Sequence, residues 1–105
     1  MNTLGILWHM EMWLVMTEIV APNRGDPAAS EIGFMNITTW AESQETAGAK
    51  IEKYLESIGW HLVSIEKANV IGEEEYGEDV SDMIERTRTN PNAIILGTFH
   101  TYKTN

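Results

Sequence analysis

The stretch from Met12 to Val20 constrains the fold more than any other part of the chain. It is short and rich in β-forming residues, and it stops at Ala21-Pro22-Asn23-Arg24-Gly25-Asp26-Pro27, where two prolines and a glycine make a loop. Side chains alternate along a strand, so Met12, Leu14 and Met16 point one way while Trp13, Val15 and Ile19 point the other. Both sets are apolar. A strand of this kind is covered on both faces, and any fold for the chain has to supply two covers.

The remaining punctuation defines five more elements. A second strand is expected from about Phe34 to Trp40, with β-branched Ile37, Thr38 and Thr39 inside it. A helix follows. Thr39 with Glu42 fits a capping box, but the Thr-Thr-Trp run suits a strand, so Ser43 is preferred as N-cap. Ala47, Ile51, Tyr54, Leu55 and Ile58 form one apolar stripe at helical spacing. Gly59 stands where a left-handed C-terminal residue is wanted. Burying Ile51, Tyr54, Leu55 and Ile58 contributes roughly 6–12 kcal/mol gross, before ordering entropy is subtracted.

Trp60 to Ile71 reads as a third strand and Gly72 to Gly77 as an acidic loop. A short helix is expected over Asp79–Thr89, with Val80, Met83, Ile84 and Thr87 along one side. Asp79 and Asp82 in its first turn and Arg86 and Arg88 in its last complement the helix dipole. Asn90-Pro91-Asn92 ends it, and Ala93 to Tyr102 closes the series as a fourth strand. The implied architecture is an α+β two-layer sandwich, in which two helices pack on one face of a four-stranded, mostly antiparallel or mixed sheet. It is ferredoxin-like in size and content, with strand order left open. Residues 1–9 are read as an N-terminal extension and 10–105 as one domain, because the 105-residue chain has the size of one compact unit.

Two helices on one face leave the other sheet face bare. The candidate covers are a second copy of the chain, the segment Leu4–Trp8, or another protein. A homodimer comes first, since symmetric dimers are the commonest oligomers, and its docking residues would be Trp13, Val15, Ile19 and Phe99. Isolated apolar residues on an open face are ordinary, but Trp13 and Phe99 would enlarge such a patch considerably.

Composition excludes several function classes. Hydrophobic residues are 43% and charged residues 22%, too apolar for disorder. Lys plus Arg number 7 against 16 Asp plus Glu, a net charge of −9, which argues against nucleic-acid and anionic-membrane partners. There is no cysteine, hence no disulfide and no thiolate site, which favours a cytoplasmic location. The first residues lack a basic region and a cleavage site, and Glu11 interrupts the apolar run.

Two groupings carry candidate chemistry. His61, His100 and Tyr102 are expected on strands and would form a small base or ligand cluster if those strands were neighbours. No paired spacing such as H-x-H supports the idea, and strand-edge histidines with ordinary hydrogen bonds are the simpler reading. The second grouping is Glu73, Glu74, Glu75, Glu78 and Asp79, followed by Asp82 and Glu85. Its spacing does not match a calcium loop, so no metal is assigned. A solvated loop entering a helix explains the acids, as does docking of a basic partner, whose capture should weaken with salt. No nucleophile elbow, phosphate-binding glycine loop or dinucleotide fingerprint is present, and no cofactor is implied. Arg24-Gly25-Asp26 is read as a turn, and Asn36-Ile37-Thr38 lies in an expected strand, so the glycosylation sequon is set aside. The leading expectation is a small acidic, non-enzymatic binding module that self-associates through its sheet. The alternative is a small-molecule binder or small enzyme of dimeric α+β barrel type, with its site at the sheet face.

Overall fold

The structure is a computed structural model that describes residues 10–102 apart from 24 and 27. The expected 1–9 extension lies outside the described residues. Six elements follow one another: β1 (Glu11–Pro22), β2 (Ser30–Ala41), α1 (Gln44–Ser57), β3 (His61–Val70), α2 (Glu78–Arg88) and β4 (Ile94–Thr101). The strands form one antiparallel sheet in the order β3-β1-β2-β4. This is the expected α+β class, with the expected four strands and two helices. The element order β-β-α-β-α-β is not the β-α-β-β-α-β of a ferredoxin-like chain, so that likeness stops at size and content.

Local chemistry explains the boundaries. The β1–β2 hairpin is tied by Asn23, whose Oδ1 accepts from the amides of Gly25 (2.7 Å) and Asp26 (3.2 Å). β2 begins four residues earlier than expected, at Ser30. Gly33 lies in that extra stretch, and a Cβ there would run into the backbone of His100 and Thr101 on β4. Ser43 caps α1: its Oγ accepts from the Thr46 amide at 3.1 Å, and its own amide donates to Thr46 Oγ1 at 3.0 Å. At the other end Gly59 adopts φ +80°. The amides of Gly59 and Trp60 return to the carbonyls of Glu56 (3.0 Å) and Leu55 (2.9 Å), the paired closure of a Schellman motif.

Each helix covers a different face of the sheet. Ile37 and Thr38 are consecutive on β2, so their side chains point to opposite sides. Ile37 joins Val15, Ile19, Ala47, Ile51 and Leu55 in the aliphatic core under α1. Thr38 Oγ1 lies 2.6 Å from Thr87 Oγ1 of α2. This corrects the expectation of both helices on one face. The reason is topological. α1 already fills the first face, and the chain has to cross from β3 at one sheet edge to β4 at the other. Residues 71–77 carry it over the free side, and α2 settles there against β2 and β4.

The two covers differ in kind. Under α1 the contacts are mainly aliphatic: Ile19, Ile37, Ile51, Leu55 and Val15 are fully buried, while Thr17 on the same face donates from Oγ1 to Met35 O at 2.9 Å. Under α2 they are mixed. Thr87 Oγ1 donates to Met83 O at 2.7 Å, so the Thr38 hydroxyl is the donor to Thr87. Trp40 Nε1 donates to Thr87 O at 2.8 Å. Gly97 on β4 lets α2 approach closely: a Cβ there would stand 2.9 Å from Met83 Sδ and 2.8 Å from Asn36 O.

Candidate binding surface

α2 covers β2 and β4 on the second face and leaves the part over β1 and β3 open. The acidic loop frames this open part. The Ile71 amide donates to Met12 O at 2.8 Å, which ties the start of the loop to β1. Tyr76 Oη accepts from the Gly72 amide at 3.4 Å and Ser81 Oγ donates to Tyr76 O at 3.2 Å, holding the far end. Beneath the loop is a cleft of about 480 Å³, within the range of small-ligand sites. Leu14 and Met16 of β1 make its floor, Lys67 and Asn69 of β3 one wall, and Glu74 and Tyr76 its loop side. Asn36 of β2 and Val70 complete the lining.

The register explains this mixture. Met16 faces Lys67 and Leu14 faces Asn69 across the β1–β3 pair, so apolar and polar side chains alternate across one floor. Sequence reading took Leu14 and Met16 as one parity of β1 but missed Asn36, Lys67, Asn69 and Tyr76. The available signal was polar Lys67 and Asn69 on either side of Ala68, a period of two within β3.

The expected acidic residues sit at the rim. Glu73, Glu74, Glu75, Glu78 and Asp79 are all exposed. Among the described residues, the ion pairs of this region are those of α2 itself, Arg86–Asp82 at 3.9 Å and Arg88–Glu85 at 3.0 Å. Both are surface pairs of small energetic weight.

The histidine cluster does not form. His61 lies on β3 and His100 on β4, the two outer strands, three strand spacings or ~14 Å apart across the sheet. Both are exposed. His61 faces Val20, and His100 faces Phe34 while lining a groove with Glu78, Asp79 and Thr98. Tyr102 pairs with Glu18 instead: its phenol donates to the Glu18 carboxylate, and its ring stacks on Phe34 with centroids 5.3 Å apart. That hydrogen bond, with lesser help from desolvation and from the charges of Glu18 and Glu66, holds the phenol pKa above its ordinary value.

The residues expected to dock a second copy through the sheet face are in the molecule's own core. Val15 and Ile19 are fully buried under α1. Trp13 is partly buried and donates from Nε1 to Ala41 O at 3.1 Å, and Phe99 stacks on Trp60 with centroids 5.8 Å apart. Docking through these residues required α1 on the face of Leu14 and Met16, and it lies on the opposite one. The cover they require is α1.

Among the described residues no helix is long and apolar enough to cross a membrane. Comparison with known proteins finds no match to the chain among family models, curated proteins or solved structures.

Proposed function

We propose that this protein is a non-enzymatic binding module of the cytoplasm, whose working surface is the open part of the second face. The observation that carries the reading is the anchoring of the acidic loop over the cleft. Glu74 and Tyr76 line a cleft floored by Leu14 and Met16, so acidic charge stands beside apolar area that a partner can bury. A net charge of −9 then favours a partner with a basic segment, and the same field speeds its approach. The cysteine-free composition supports the cytoplasmic placement. Self-association through the sheet belongs to the same reading. The separation of His61 from His100 supports binding over catalysis.

Amide shift mapping with a lysine-rich peptide tests the surface. Shifts confined to 71–77 and to Leu14, Met16 and Asn69, shrinking with added salt, are expected. Shifts centred on α1 or scattered over the whole molecule defeat the reading. The cleft volume also favours a second reading, a small-molecule binder. A ligand that protects the fold and moves the same amides without salt dependence would select it.

A further inference from the structure

The sheet has two outer strands, and they are defended differently. β3 carries Glu66 and Lys67, both exposed, and its register against β1 breaks twice. Charges and irregularities of this kind keep an edge from pairing with another chain. β4, Ile-Ile-Leu-Gly-Thr-Phe-His-Thr, contains no Asp, Glu, Lys or Arg. Its one irregularity is where Gly97 and Thr98 stand opposite Asn36. The Tyr102 amide donates inward to Ile32 O at 3.1 Å. Alternation along the ladder therefore turns the amides of Thr101 and Phe99 outward, with no strand beside them among the described residues.

We propose that β4 pairs antiparallel with β4 of a second copy about a two-fold axis, giving a continuous eight-stranded sheet. Two further features fit this partner. α2 straddles β2 and β4, bonded to Thr38 and Trp40 on one and lying against Gly97 on the other. With strands ~4.8 Å apart, the two-fold places the α2 axes ~10 Å from each other, a helix-packing distance. The flank of α2 beside β4 presents Asp79, Asp82 and Arg86. A two-fold runs the helices antiparallel, so Arg86 of each copy meets the acidic first turn of the other.

This assignment rests on the reading of the chain as a self-associating module, and the experiment separates the two. Solution mass is measured by light scattering across a dilution series for the native chain, Thr101→Pro and Arg86→Glu, with circular dichroism confirming that each variant folds. Thr101 is exposed and its amide faces outward, so proline there removes an edge donor and no internal bond. The native mass is expected to rise from 11.9 kDa toward twice that value as concentration increases. Thr101→Pro and Arg86→Glu should each weaken the dimer tenfold or more, and Asp79→Arg added to Arg86→Glu should recover most of the loss. A native chain that stays monomeric overturns both the edge assignment and self-association. A dimer unmoved by Thr101→Pro overturns the edge assignment alone, and one unmoved by Arg86→Glu overturns the pairing of the α2 helices.

Discussion

The two faces of the sheet solve the same problem with different chemistry. Under α1, Ile51 and Leu55 bury completely against Val15, Ile19 and Ile37, and the cover is mainly hydrocarbon, its buried Thr17 hydroxyl closed on Met35 O within the sheet. Under α2, a chain of hydroxyls from Thr38 through Thr87 to Met83 O replaces much of the hydrocarbon, and the cover ends before β1 and β3. The first face holds the fold together. The second holds a helix in place and leaves the surface over β1 and β3 open. A directional network suits that task, because it fixes the position of α2 without closing over the cleft.

The largest effect is expected on the first face. Leu55→Ala removes a fully buried side chain from the aliphatic core and should cost about 2–5 kcal/mol in urea unfolding. A loss under about 1 kcal/mol would show that α1 does not carry the stability assigned to it. The second face should respond in a different manner. Thr87→Val leaves the Thr38 hydroxyl unpaired at zero exposure, at a cost of about 1–3 kcal/mol. Replacing both threonines by valine should cost less than the two single changes summed, since no donor is then stranded. Strict additivity would mean the hydroxyls are not coupled.

What the sequence revealed follows the same division. α1 was legible because its signals are local: the Ser43 cap, the stripe through Ile51 and Leu55, and Gly59 at the end. The two-sided apolar pattern of β1 asked for two covers, but the second reaches only β2 and β4 and leaves Met16 of β1 exposed. The pattern did not say which element supplied the second one. That depended on Thr38 and Trp40, ordinary strand residues whose role exists only through Thr87, 49 and 47 positions away along the chain. The cleft was hidden for the same reason. Its lining comes from β1, β2, β3 and the loop at 71–77, and only the strand order β3-β1-β2-β4 brings those segments together. The same order kept His61 and His100 apart, which no local pattern could reveal.

The smallest effect concerns the exposed end of the second face. Tyr102 has a raised folded-state pKa because Glu18 accepts its hydrogen bond. Its contribution to stability is therefore present below the ordinary phenol pKa and lost as pH rises through the folded value. Ultraviolet titration should find Tyr102 ionising above the ordinary phenol range, and Glu18→Gln should bring it back toward that range. An unmoved titration would separate Tyr102 from Glu18 in solution.

Pairing of β4 with a second copy should show in the outward amides of that strand. Amide hydrogen exchange of Phe99 and Thr101, followed as the protein is diluted, tests it most directly. Pairing through β4 gives slow exchange in concentrated solution that accelerates on dilution, while the outward amides of β3 exchange quickly throughout. Phe99 and Thr101 amides that exchange as fast as exposed loop amides at every concentration would contradict it.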